Sequence, residues 1–206
     1  IHHNAITLNG GQSENSVAGG LALCAGTNNY LVSRNFVCGN FSQGDGGGIG
    51  HLGLSNSGAI ERNEILFNQS TTQALNRSGG GLFIGGEPPV VGALTLGAGS
   101  VDVDANLIQG NQAATGHGGG IRTQFVNGTD VDPAVRPTPW RLRFTNNMVV
   151  NNVAGWSGAG ISLHDTVNGQ IINNTVANND STATVGALIV ANESAPQPAG
   201  ISAERH

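Results

Sequence analysis

The chain has 206 residues, 33 of them glycine, with 8 basic and 13 acidic residues and a net charge of −5. Every basic residue is Arg, so the lysine of a P-loop and the amine of a Schiff-base enzyme are both missing, which excludes those two chemistries. The acidic balance excludes a nucleic-acid footprint, and there is no apolar run long enough to span a membrane and no charged-then-apolar leader within the chain.

Along the chain, two Asn separated by four residues recur at Asn4/Asn9, Asn35/Asn40, Asn63/Asn68, Asn106/Asn111, Asn147/Asn152 and Asn174/Asn179. Two residues after each first Asn stands an aliphatic: Ile6, Val37, Ile65, Ile108, Val149 and Val176. Three residues before it stand Val32, Ile60, Val103, Phe144 and Ile171. A second landmark alternates with the first, small residues and then an aliphatic: Gly19-Gly20-Leu21, Gly47-Gly48-Ile49, Gly80-Gly81-Leu82, Gly119-Gly120-Ile121, Ala159-Gly160-Ile161 and Gly186-Ala187-Leu188.

The first Asn recurs at intervals of 31, 28, 43, 41 and 27 residues. A repeat of this size, with short β-branched runs, Gly blocks and no 3.6-residue periodicity, predicts several strands and turns per repeat. If each repeat is one coil of a solenoid, equivalent residues stack about 4.8 Å apart. Aliphatics then pile on aliphatics inside, and Asn piles on Asn at a corner, hydrogen-bonding along the axis. Asn35, Asn63, Asn106, Asn147 and Asn174 are the expected ladder.

The Asn-x-aliphatic-x-x-Asn block together with the Gly-Gly-Gly-Ile block resembles the right-handed parallel β-helix repeats of the pectin-lyase-like superfamily. Among them, it is most similar to the Gly- and Asn-rich repeats of large exported bacterial surface proteins. The resemblance runs from Asn4 to about Leu188 and implies an all-β, right-handed parallel β-helix of about six coils. It implies export but no single activity, because lyases, hydrolases, epimerases, adhesins and passenger modules share the fold.

Two coils are enlarged at the same corner. Leu82 to Asn106 spans 24 residues and Ile121 to Asn147 spans 26, where the other complete coils use 13 or 14. The insertions, at about residues 85–100 and 125–140, should stand side by side, either as a functional surface or as decoration. The first holds Glu87, Pro88 and Pro89; the second holds Asp130, Asp132, Pro133, Arg136, Pro137, Pro139 and Trp140. Register places Asp102 beside Arg143, with Asp104 and Arg141 on the same face and Arg122 approaching from the neighbouring strand. That cluster reads either as a cross-coil ion pair, worth under about 1 kcal/mol when exposed, or as a ligand surface. In the second case Asp102, Asp104, Asp130 and Asp132 supply carboxylates, Arg122 and Arg143 meet a sugar acid, and Trp140 stacks on a ring. A Ca²⁺ or uronate site of the kind found in β-helix lyases is what the resemblance implies there.

Gly116-His117-Gly118 is similar to the Gly-His-Gly element of β-helix polygalacturonases. Their paired aspartates and Arg-Ile-Lys element have no counterpart, however, so His117 reads as a turn residue. His51 and His164 fall at different offsets from their Gly blocks and should not stack into a metal site. Cys24 and Cys38 sit within one coil, a candidate disulfide in an oxidising compartment and two small hydrophobes in a reducing one. The several Asn-x-Ser/Thr triplets follow from composition and establish no glycosylation.

An opening Ile1 and a first Asn block at residue four, without a cap, suggest one β-helix domain cut from a longer protein. Its partners would then be the other domains of that protein and a glycan or surface protein. The expected function is a non-catalytic module of an exported or cell-surface protein, a rigid scaffold or binding surface with no cofactor. The alternatives are a lyase, hydrolase or epimerase acting on acidic glycans, and a self-assembling filament component.

Overall fold

The computed structural model describes residues 1–71, 77–87, 96–128, 138–183 and 197–204, and among them there is no helix. Short strands form four parallel sheets, and each coil visits them in turn. Sheet A holds Leu31–Ser33, Gly58–Glu61, Val101–Asp104, Arg141–Thr145 and Asn168–Ile172. Sheet B holds Ala5–Thr7, Phe36–Cys38, Glu64–Leu66, Leu107–Gln109, Met148–Val150 and Thr175–Ala177. Sheet C is built of two-residue strands: Gly10–Gly11, Phe41–Ser42, Gln69–Ser70, Gln112–Ala113, Val153–Ala154 and Asp180–Ser181. Sheet D holds Leu21–Cys24, Ile49–Leu52, Leu82–Gly85, Ile121–Gln124, Ile161–His164 and Ile201–Glu204. The architecture is a right-handed parallel β-helix of about six coils.

The register read from the Asn blocks holds throughout. Ile6, Val37, Ile65, Ile108, Val149 and Val176 are successive partners in sheet B. The middle four are fully buried, and Ile6 and Val176 pack against them. Val32, Ile60, Val103, Phe144 and Ile171 form the facing row of sheet A. Sheet C contributes only small side chains inward, Ser42, Ser70, Ala113 and Ala154. A narrow cross-section explains how a chain with nine aromatics fills its interior.

Both Asn of each block stack, so there are two ladders. At the corner between sheets A and B the Nδ2 of each Asn donates to the Oδ1 of the next, from Asn4 through Asn35, Asn63, Asn106 and Asn147 to Asn174, at 2.9–3.0 Å. The same Oδ1 accepts from the previous Asn's backbone N–H, and Nδ2 makes a second bond to a carbonyl of the previous coil. Asn9, Asn40, Asn68, Asn111, Asn152 and Asn179 repeat the pattern between sheets B and C. Every buried amide in the ladders is thereby satisfied, which is what allows such groups to leave water.

The residue before each ladder Asn is left-handed. Arg34, Arg62, Ala105, Asn146 and Asn173 have φ between 51° and 56° at the first ladder. A side chain with a Cβ costs about 1–2 kcal/mol in that region, less for Asn. Ala105 is exposed, so Ala105→Asn should raise the unfolding free energy by about 0.5–1 kcal/mol in urea denaturation.

One buried polar pair lies inside the coil. His51 Nε2 faces the carbonyls of Gly53 and Ala98 at 2.9 and 3.0 Å, which requires the proton there, so Nδ1 accepts from Tyr30 Oη at 2.8 Å. Burial lowers the His51 pKa and raises that of Tyr30. His51 is a structural group; its sheet neighbours are Leu23 and Ile84, while His164 stands beside Gln124.

The last Gly landmark requires correction. The strand beside Ile161 is led by Ile201, so Ala199-Gly200-Ile201 fills that position; Gly186-Ala187-Leu188 lies outside the described residues. A Gly- and Ala-rich chain offers false matches to a pattern of two small residues and an aliphatic. The consequence is a third long excursion, between Ser181 of sheet C and Ile201 of sheet D, at a different corner from the other two.

Candidate functional site

The outward side chains of sheet D form two rows in register. The first runs Gly50, Phe83, Arg122, Ser162 and Ser202; the second runs Leu52, Gly85, Gln124, His164 and Glu204. The corner that precedes sheet D turns on Gly46, Gly79, Gly118 and Gly158, all at positive φ, where a Cβ would be strained. Those turns bring the preceding residues Asp45, Ser78, His117 and Ser157 up beside the sheet, stacked coil upon coil by hydrogen bonds between the turns.

A polar chain therefore runs along the axis. The Ser78 amide donates to Asp45 Oδ1 at 2.7 Å, and the His117 amide to Ser78 Oγ at 3.1 Å. Ser157 Oγ donates to Glu204 Oε1 at 2.8 Å and lies 2.8 Å from His117 Nδ1. Because the hydroxyl proton is spent on Glu204, His117 carries its own proton on Nδ1. The Trp156 ring lies 6.3 Å from that imidazole.

Arg122 lies at the centre, 4% exposed, with Nη1 donating to Ser162 Oγ at 2.6 Å. Its Nε has no hydrogen-bond partner among the described residues. It forms the floor of a cleft of about 300 Å³ with Ser78, His117, Gln124, His164 and Glu204, and Phe125 as an apolar wall. A neighbouring cleft of about 370 Å³ shares Gln124 and Phe125 and reaches Asp45, Arg77 and Phe83.

Burial dominates the electrostatics. It lowers Arg122 to about 10, opposed by the charges of Glu204, Asp45 and Asp165. It lowers His117 to about 4, helped by Arg122 and His164 and opposed by Glu204. It pushes Asp45 up to about 6, against the Ser78 hydrogen bond and the charges of Arg77 and Arg122. Linkage then gives opposite signs. The lowered His117 contributes stability that is present above 6.5 and lost as pH falls towards 4. The raised Asp45 contributes stability that is present below 3.8 and lost as pH rises through 6. In Asp45→Asn the compensating gain on acidification disappears. Unfolding free energy should then fall by about 2 kcal/mol more than in the wild type between about pH 6.5 and 4, measured by urea denaturation.

The residues singled out in the sequence are divided between two faces. Asp102 and Arg143 are register partners on the outside of sheet A, as expected. The ion pair, however, is Asp102 with Arg141, at 3.0 and 3.3 Å, while Arg143 is exposed. The long Arg141 side chain reaches diagonally across the pleat, a contact that sheet register permits. Asp104 accepts from the Thr145 hydroxyl and from Asn146 Nδ2. Arg122 does not join this group; it belongs to sheet D, and its charged neighbours are Glu204, Asp45 and Asp165.

Trp140 ties the bases of the two insertions together: Nε1 donates to the Leu96 carbonyl at 2.7 Å, and its backbone is clamped by Asn127. Asp130 and Asp132 lie outside the described residues. Cys24 and Cys38 are unbridged, at the ends of strands in sheets D and B. Among the described residues there is no group of three or more His, Cys, Asp or Glu placed to hold a metal ion, and no helix is long and apolar enough to cross a membrane.

His117 stands in a turn, as its motif suggested, and also lines the cleft; Ser78 and Glu204 line it too, Asp45 lines the neighbouring cleft and Ser157 hydrogen-bonds to Glu204, and no motif marked these four. A signal for them does exist. Counted from the aliphatic of each Gly block, Asp45, Ser78, His117 and Ser157 stand four before, Arg122 one after, and Gln124 and His164 three after. Comparison of the chain with protein-family models, with curated proteins and with solved structures finds no match.

Proposed function

We propose that this chain is a non-catalytic β-helical module of an exported or cell-surface protein, a rigid scaffold that presents the sheet D cleft to a saccharide. The observation that carries this reading is Arg122, a buried guanidinium facing a cleft that also offers the Gln124 amide, two imidazoles, a carboxylate and the Phe125 ring. Sugars are held by such sets, polar groups for hydroxyls and an apolar face for the ring. The engagement of Asp102 with Arg141, and of Asp104 with Thr145 and Asn146, favours placing the site on sheet D instead of the paired insertions. Isothermal titration against a panel of oligosaccharides tests it. Phe125→Ala and Gln124→Ala should weaken binding about tenfold, and Asp102→Ala should leave it unchanged.

A second reading, a polysaccharide lyase or hydrolase acting on acidic glycans, is favoured by one observation: Asp45 lines the neighbouring cleft, which shares Gln124 and Phe125 with the sheet D cleft, and burial raises its pKa to about 6. Release of new sugar ends by the wild type, abolished in Asp45→Asn, would select that reading.

A further inference from the structure

A guanidinium as enclosed as Arg122 is expensive to hold without a counter-charge. Glu204, Asp45 and Asp165 lie near enough to act on it, yet among the described residues its one hydrogen bond goes to a neutral hydroxyl, Ser162 Oγ. Each of the nearby carboxylates has another engagement. Glu204 accepts from Ser157, Asp45 accepts from the Ser78 amide with Arg77 at 3.8 Å, and Asp165 lies 3.6 Å from His164 Nε2. The donors lining the cleft, Arg122, His117, His164, Gln124 and Ser78, outnumber its one carboxylate, Glu204.

We propose that the sheet D cleft is an oxyanion site, which seats a carboxylate or a sulfate ester on Arg122 and takes up a proton on His117 as it does so. This rests on the saccharide reading above only for the carrier of the oxyanion, a uronate or a sulfated sugar. The proton comes from solvent. His117 Nδ1 is already protonated towards Ser157, so the added proton goes to Nε2, which has no hydrogen-bond partner among the described residues. In the empty cleft burial opposes that proton most, Arg122 and His164 oppose it further, and Glu204 favours it. An oxyanion on Arg122 cancels the repulsion from that guanidinium and adds an attraction. Asp45, one serine away along the axis, becomes neutral over the same pH range, which removes a charge hostile to the ligand. The Trp156 ring, 6.3 Å from the imidazole, carries no charge and does not titrate.

The test uses Trp140→Phe protein, in which Trp156 beside His117 is the only indole. Its fluorescence is titrated with a galacturonate trisaccharide, a sulfated trisaccharide, a neutral trisaccharide and inorganic sulfate, at about pH 7.5 and about pH 5. Expected is charged-ligand binding at least about tenfold tighter at the lower pH, with the neutral sugar lagging and the two charged sugars identifying the natural oxyanion. Calorimetry of the wild type in buffers of different ionisation enthalpy should show net proton uptake. Arg122→Gln should abolish the preference for charge. Should that variant fail to fold, His117→Gln in an Asp45→Asn background still decides: it should bind charged sugars with no pH dependence, whereas Asp45→Asn alone keeps it.

Equal affinity for neutral and charged sugars, or charged-ligand binding without proton uptake, overturns the proposal and leaves the cleft a plain saccharide site. Uptake of inorganic sulfate with a proton, but of no saccharide, upholds the oxyanion site and sinks the saccharide reading.

Discussion

Asn106→Asp should destabilise the protein by about 4 kcal/mol or more, a large part of the stability of any single domain. Asn106 is 2% exposed, and its Nδ2 donates to Asn147 Oδ1 at 3.0 Å and to the Ile60 carbonyl at 2.9 Å. A carboxylate there places a negative oxygen against two acceptors, closed off from solvent. Its other oxygen still accepts from Asn63 N and Nδ2, so the damage is confined to one half of the group. Acidification should narrow the deficit, because a protonated carboxyl donates again. Asn4→Asp provides the control: that residue starts the ladder and is exposed, so the change should cost less than about 1 kcal/mol. Equal losses at the two positions would mean that the ladder contributes nothing beyond local turn geometry.

Gly120→Ala comes next, at about 3 kcal/mol. Its backbone φ lies outside the left-handed region, so conformational freedom is not the reason for glycine there. Space is the reason: a Cβ would stand 2.6 Å from the Gly160 carbonyl oxygen, 2.8 Å from Val149 Cγ1 and 3.0 Å from Asn152 Nδ2. Gly20, Gly48, Gly81 and Gly160 meet Asn40, Asn68, Asn111 and Asn179 in the same way. The two landmarks of the sequence are therefore one device, in which the second glycine of each Gly block leaves room for the amide of the second ladder. Gly200, in the same column, has nothing within 4 Å of the point where a Cβ would stand, and Gly200→Ala should shift the midpoint of thermal unfolding little.

Much of the fold was legible because a solenoid repeats its constraints. One misread landmark among six is outvoted, and the pairing of Ile108 with Ile65 and Val149 follows from counting. The error at Gly186-Ala187-Leu188 arose where the repeat has no further copy to correct it. The candidate site was less legible for a physical reason. Catalytic and binding motifs are recognised as local strings, whereas Asp45, Ser78, His117 and Ser157 are brought together by stacking of residues 33 to 40 positions apart. Their only trace is a shared offset from the Gly block, at a position whose side chain differs among the coils. Asp102 and Asp104 attracted attention because they are charged and close in sequence. Their partners Arg141, Thr145 and Asn146 show them to be cross-coil ties on the outside of sheet A.

The most direct test is a crystal structure of the protein soaked with an acidic oligosaccharide. Sugar density is expected in the sheet D cleft, with an oxyanion on Arg122 and a ring against Phe125. Density along sheet A beside Asp102 and the paired insertions, with the sheet D cleft empty, would contradict it.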